Sequence, residues 1–105
     1  MDSETNKEPA EEETTDFPMP PPTFEFLVLD IATAARLHLG LLHFGEEKDR
    51  PKPNLAAAQH AIDLLAMLLE KTHGNLDLDE QRMLENSLTE LRFRYVQIAG
   101  EAQPK

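Results

Sequence analysis

The sequence of 105 residues contains no cysteine and no tryptophan, and only four glycines. Without cysteine the chain has no disulfide framework, no thiolate metal site and no cysteine nucleophile. Basic residues are also scarce: 20 Asp and Glu stand against 10 Lys and Arg, which gives a formal net charge of -10. Nucleic acid and anionic membrane both attract a basic face, so this charge disfavours them as partners. The length is that of one domain.

A long uninterrupted apolar run is also missing. Residues 24–44 approach the length of a bilayer-spanning helix, but Asp30 and Arg36 lie among them. Near a bilayer centre these two charges would together cost on the order of several kcal/mol. The N-terminal residues have neither the basic nor the apolar region of a signal peptide. We therefore expect a cytoplasmic protein without a membrane span.

The negative charge is concentrated at the N-terminus. Residues 1–16 hold seven acids and one base, or -6, whereas the other 89 residues hold 13 acids and nine bases, or -4. After Met1 this stretch has no apolar side chain larger than alanine, so it buries too little surface to offset the entropy of ordering it. We predict that residues 1–22 are a disordered acidic, proline-rich tail. A solubilising role is the favoured interpretation, and docking to a basic partner is the alternative.

Hydrophobic periodicity predicts an all-α fold, a three-helix bundle over residues 23–100 followed by a frayed end at 101–105. The helices are expected at about 24–39, 55–73 and 78–99. The charged residues between the first two helices, with two prolines, indicate a solvated loop. No strand pattern and no internal repeat is found.

Local signals mark the ends of these helices. Thr23 and Asn54 are suited to cap the first two helices, and Asp77 with Glu80 resembles a capping box for the third. Glu90 and Arg94 have the i,i+4 spacing of an ion pair on the exposed side of the third helix. Three glycines are each placed to end a helix: Gly40, Gly74 and Gly100.

Each outer helix has a predicted core face. The first helix is expected to bury Phe24, Leu27, Val28, Ile31, Ala34, Ala35 and Leu39. The third has a seam with heptad spacing: Leu84, Leu88, Leu91, Tyr95 and Ile98.

The second helix has more apolar surface than one neighbouring helix can cover. Its apolar arc spans roughly 200°, whereas a surface helix needs about 100°. The first and third helices could cover this arc within one chain, yet each has apolar residues of its own off its core face: Phe26, Leu29 and Leu37 on the first, and Met83, Phe93 and Val96 on the third. Large exposed apolar patches mark interfaces, and two-fold self-association is the commonest way to cover them. We therefore expect a homodimer, with a monomeric bundle as the alternative. The predicted interface residues are Phe26, Leu29, Leu37, Leu64, Met67, Leu68 and Phe93.

His38 is the most notable polar residue, because a helical-wheel projection places it within the apolar face of the first helix. A buried imidazole needs partners for its ring nitrogens. It could be a ligand, a pH-sensitive group or a hydrogen-bonded core residue, and the core interpretation is favoured. His43 shares no helical face with it, so the two do not have the spacing of a metal site.

Four polar residues share the exposed strip of the second helix: His60, Asp63, Glu70 and Lys71. His60 and Asp63 lie within reach of each other, as in a pair that orients an imidazole for base catalysis. No nucleophile pattern accompanies them, and a surface pair is the commoner explanation. If a partner covered this strip, Asp63, Glu70 and Lys71 would become interface ion pairs. We expect no enzymatic activity, no cofactor and no metal.

Three stretches resemble a known bacterial family. They are residues 61–76, which read AIDLLAMLLEKTHGNL, residues 88–96, which read LTELRFRYV, and residues 24–41, which end in HLGL. Over about residues 23–97 the chain resembles the domain-of-unknown-function 1844 family. The resemblance implies a small, all-helical, cytosolic bacterial protein, and it brings no catalytic residue, cofactor or substrate.

The sequence as a whole favours a non-enzymatic, homodimeric interaction module with an unknown protein partner. The alternative function is a small-ligand or metal-binding module that uses His38 and its neighbours.

Overall fold

The computed structural model describes residues 18–43 and 45–102. It contains three α-helices: α1 (Phe24–His38), α2 (Leu55–Lys71) and α3 (Leu78–Ala102). A short 3₁₀ turn, Glu47–Asp49, lies in the connection between α1 and α2. The predicted three-helix, all-α fold is confirmed, and the described residues include no strand. The predicted disorder of residues 1–17 lies outside the described part of the chain.

The predicted caps at the helix starts are confirmed. The side-chain oxygens of Thr23 and Asn54 each accept a hydrogen bond from the backbone amide three residues on, at 3.0 Å. At the start of α3, the Asp77 amide donates to Glu80 at 2.9 Å, and the Glu80 amide donates to Asp77 at 2.8 Å. Each cap satisfies amides that lack a partner within the first helical turn, so the helix starts are fixed locally.

Two of the three predicted glycine stops are confirmed. Gly40 and Gly74 adopt left-handed backbone angles, with φ of 80° and 82°, and α1 and α2 end at His38 and Lys71, just before them. An L-residue rarely adopts these angles, because its Cβ approaches the backbone too closely. The glycines therefore allow the chain to reverse after each helix.

The prediction that Gly100 ends α3 is wrong. The helix continues through Gly100 to Ala102, so the predicted frayed end at 101–105 is helical over its first two residues. Residues 103–105 lie outside the described part. The residues after Gly100 are glutamate and alanine, which favour helix and offset the modest penalty of one glycine.

α1 and α2 pack side by side in opposite directions, and α3 packs against both. The amide of Asn54 donates to the carbonyl of His38 at 2.7 Å, which joins the start of α2 to the end of α1. α3 has 25 residues against 15 in α1, so it extends beyond α1 by roughly 15 Å. Its C-terminal part consequently lies beside the α1–α2 connection.

Eleven buried side chains form one core shared by all three helices. The predicted α3 seam is confirmed, because its first three leucines are at most 2% exposed and Tyr95 and Ile98 pack against them. The predicted α1 face is partly wrong: Leu27 is exposed, and Ala32 is buried in its place. The buried residues are Val28, Ala32 and Ala35 of α1, Leu39 directly after α1, Ala58, Ala61, Ile62 and Leu65 of α2, and Leu84, Leu88 and Leu91 of α3.

The ion pair expected within α3 is replaced by one between helices. Glu90 accepts a hydrogen bond from the Arg36 guanidinium of α1 at 3.0 Å instead of meeting Arg94. Both side chains are partly exposed, so the pair contributes about 1 kcal/mol or less to stability. Its position shows which side of α1 faces α3.

Candidate interaction surface

Exposed apolar side chains are concentrated on α1. Among the described residues, ten large apolar side chains are exposed, and four of these lie on a helix of only 15 residues. We call these four the α1 belt: Phe26, Leu27, Leu29 and Leu37, which are 38%, 42%, 45% and 51% exposed. An exposed residue of this kind is ordinary when it is alone, whereas several on one short helix make it a candidate binding surface.

The helical period places the α1 belt around the side of α1 that faces away from the core. Phe26 and Leu37 project opposite the buried line of α1, because they are separated from it by half a turn. Leu29 lies on the flank of Arg36, towards α3, and Leu27 lies on the other flank, towards α2. Between Phe26 and Ala35 the only charged residue of α1 is Asp30. α1 is thus apolar on its inner face and on much of its outer face.

α2 adds less exposed apolar surface than its wheel predicts. Of the three predicted interface residues on this helix, Met67 is 41% exposed, whereas Leu64 and Leu68 are half-buried. Leu68 also packs against the core. The broad arc of α2 is therefore covered largely within the chain, since α1 and α3 contact it on two sides.

α3 has a separate and smaller apolar patch. Phe93, a predicted interface residue, is 64% exposed, and Val96 beside it is 70% exposed. The prediction omitted Val96, although the i,i+3 spacing of the two side chains places them on one face. This face points away from the leucine seam of α3, so the patch does not join the α1 belt.

His38 is not the buried core residue that the wheel predicted. It is half-buried, and the described residues include no buried polar or charged side chain. The core face of α1 is centred on Ala32 and Ala35, which leaves His38 on the flank that also holds Leu27. The expected need for buried imidazole partners therefore does not arise.

The polar strip of α2 is exposed, and its side chains do not form the predicted pair. Asp63 accepts a hydrogen bond from Gln59 at 2.9 Å instead of meeting His60. Glu70 and Lys71 also lie in solvent. Within residues 18–43 and 45–102, no three His, Cys, Asp or Glu side chains are arranged to hold a metal ion.

An open cleft of about 530 Å³ lies where the end of α3 crosses the α1–α2 connection. Its main polar group is Arg50, which donates to Glu47 at 2.7 and 2.8 Å and also to the Gly40 carbonyl. The side-chain hydrogen bond between Arg50 and Glu47 lowers the pKa of Glu47 and raises the pKa of Arg50. Arg50 therefore ties the connection to the end of α1. Other residues of the cleft are Leu39, Leu41, Pro53, Arg94, Gln97, Ile98 and Glu101.

Of the helices that the structure describes, none is long and apolar enough to span a membrane.

Comparison with known proteins identifies one family. The sequence model described as "Domain of unknown function (DUF1844)" matches residues 21–97. No curated protein and no solved structure matches the chain.

Proposed function

We propose that this chain, which belongs to the Domain of unknown function (DUF1844) family, acts as a non-enzymatic homodimeric interaction module. The family membership confirms the resemblance found in the sequence. In this proposal the dimer presents its remaining exposed surface to a second protein. Nucleic acid and membrane are not proposed as partners, because the net charge of -10 repels both.

The α1 belt is the observation that supports this proposal. If a large apolar side chain presents about 200 Å² when fully exposed, the four exposed fractions amount to roughly 350 Å². Asp30 and Thr33 divide this area between a part at Phe26, Leu27 and Leu29 and a part at Leu37, so each part is smaller than the roughly 300–600 Å² of the largest patch on a typical monomer. Removing the belt from water would contribute about 25 cal/mol per Å² before the costs of association. Covering α1 is therefore favourable.

The polar candidates give no comparable support to catalysis. His60, Asp63, Glu70 and Lys71 lie exposed on α2, away from the one described cleft. The alternative, a ligand or metal site at His38, has no observation in its favour, because within the described part of the chain no group of three potential metal ligands includes that side chain. Titration with Zn²⁺ followed by ring-proton shifts would test it: shifts confined to His38 and His43 would favour the alternative.

Sedimentation equilibrium of the full chain across the micromolar range tests the homodimer. We expect a mass approaching twice 11.9 kDa as concentration rises. A single species of monomer mass at every concentration would contradict this part of the proposal. A Phe93→Ala variant removes an exposed apolar side chain outside the α1 belt. As a control, it should dimerise as the unmodified chain does.

The second protein requires a separate experiment. A tagged chain would be used to capture partners from the native host, with mass spectrometry to identify them. A Leu37→Glu chain would serve as a monomeric control if it stays folded. The proposal also places the protein in the bacterial cytoplasm, as the family resemblance implies, and cell fractionation would test that location.

The polar strip of α2 offers a further test of where the interface lies. We propose that Asp63 and Glu70 remain outside it. The double variant Asp63→Ala, Glu70→Ala should dimerise and capture partners as the wild type does. A loss of either property would show instead that a partner covers this strip.

A further inference from the structure

We infer that the α1 belt is covered by α1 of a second copy of this chain, lying antiparallel across a two-fold axis. In this arrangement Phe26 packs against the partner's Leu37, and Leu37 packs against the partner's Phe26. The inference rests on the proposed homodimer and specifies its interface.

The outward face of α1 has the spacing of a helix–helix seam. Phe26, Asp30, Thr33 and Leu37 follow one another at intervals of four, three and four residues. This is the heptad rhythm by which one helix packs along another. Leu27 and Leu29 flank the seam and are exposed. The seam therefore has apolar residues at its two ends and short polar side chains at its middle.

An antiparallel two-fold pairing matches this distribution. When Phe26 lies opposite the partner's Leu37, the two residue numbers of every facing pair add to 63. Asp30 therefore lies level with the partner's Thr33. The threonine hydroxyl can then donate a hydrogen bond to the carboxylate. A parallel pairing would place Asp30 directly opposite its own copy, which is unfavourable for like charges. The antiparallel register staggers the two carboxylates by about 4.5 Å along the helices.

The exposed apolar area of the α1 belt is less than half of what a standard interface buries on each partner. A standard interface buries about 800 Å² on each partner, and the belt supplies roughly 350 Å² of exposed apolar surface. Half-buried atoms of Ala34, together with the α2 surface near Leu64 and Met67, must supply the rest. We therefore expect a dimer that dissociates measurably at micromolar concentration, in which Asp30 weakens the seam.

The absence of cysteine permits a direct test by disulfide cross-linking. Phe26→Cys and Leu37→Cys chains are prepared separately, one with a mass tag, then mixed and oxidised. We expect about tenfold more tagged–untagged cross-linked dimer than same-variant dimer, because only unlike cysteines come within disulfide distance. In either variant alone, the two cysteines lie 11 residues apart along the helices, or about 16 Å. Phe93→Cys, on the separate α3 patch, is the control for random collision.

The outcomes separate this inference from the proposed function. Equal or greater cross-linking of Phe26→Cys to itself would overturn the antiparallel register. A dimer by sedimentation with no cross-linking above the Phe93→Cys control would overturn the α1 interface and leave the homodimer standing. A monomer by sedimentation would overturn both. Circular dichroism of each variant confirms that the helices are retained, which is expected because both positions are exposed.

A second variant provides an independent measurement. Asp30→Leu replaces the charge at the middle of the seam by an apolar side chain. We expect its dimer dissociation constant to fall by about tenfold, since a carboxylate no longer loses water on association. An unchanged or raised dissociation constant would contradict the position of Asp30 in the interface.

Discussion

α1 and α3 both pack against the same core, yet their outer faces differ. Three of the 15 residues of α1 are charged, against eight of the 25 in α3. α3 has one buried leucine seam, and its exterior is polar except for the exposed Leu78, Phe93 and Val96. α1 buries a line centred on alanines and exposes large apolar side chains. The comparison shows that α1 is suited to contacts on two sides.

The largest expected effect distinguishes an inner leucine from an outer one. Leu91→Ala removes a fully buried side chain of α3 and should lower the free energy of unfolding by about 2–5 kcal/mol. Leu37→Ala, on the outer face of α1, should change the monomer stability by about 1 kcal/mol or less. Urea denaturation at low protein concentration measures both. Equal losses would show that the α1 belt is part of the core.

The next effect concerns association. Leu37→Glu places a charge in the proposed interface, and we expect the dimer dissociation constant to rise by about 100-fold because that carboxylate would be desolvated. Phe93→Glu makes the same change on α3 and should leave the dimer intact. Sedimentation equilibrium measures both variants. If Phe93→Glu were the variant that dissociates, the contacts would belong to α3 instead.

Two glycine substitutions, one after the end of α1 and one inside α3, should change stability in opposite directions. Gly40→Ala should destabilise the protein by about 1–2 kcal/mol, because φ is 80° there and alanine avoids left-handed angles. Its Cβ would also lie 3.4 Å from the Pro51 carbonyl oxygen. Gly100→Ala should stabilise by about 0.5–1 kcal/mol, since it lies inside a helix with open space around it. Thermal unfolding compares them, and a stabilised Gly40→Ala would refute the strain argument.

The smallest expected effect concerns the ion pair that joins the two helices. Glu90→Gln removes the charge that meets Arg36, and we expect a loss of about 1 kcal/mol or less because both groups are partly exposed. The effect should shrink further in high salt. Urea denaturation at low and high salt measures it. Arg94→Gln, which removes a charge from α3 without breaking this pair, is the control and should leave stability nearly unchanged.

The sequence predicted the elements more accurately than the surface. The three helices, their N-terminal caps and the α3 seam were all recognised, and the heptad spacing of the seam identified its buried face. Five of the seven predicted interface residues are exposed. Leu64 and Leu68 are half-buried, and Leu27, which was predicted to be buried, is exposed. The errors fall on α1 and α2, whose apolar residues extend so far around the helix that the wheel does not select one buried face.

The structural features that the sequence determined by itself are local: the start of each helix and the reversals at Gly40 and Gly74. The sequence also determined the family. A cap or a left-handed glycine depends on atoms within a few residues, so the sequence contains the whole cause. Tertiary structure decided which side of α1 is buried, that His38 lies on a flank, and that Glu90 meets Arg36. These depend on how closely alanine-lined helices approach one another, a distance set by all three helices packing at once.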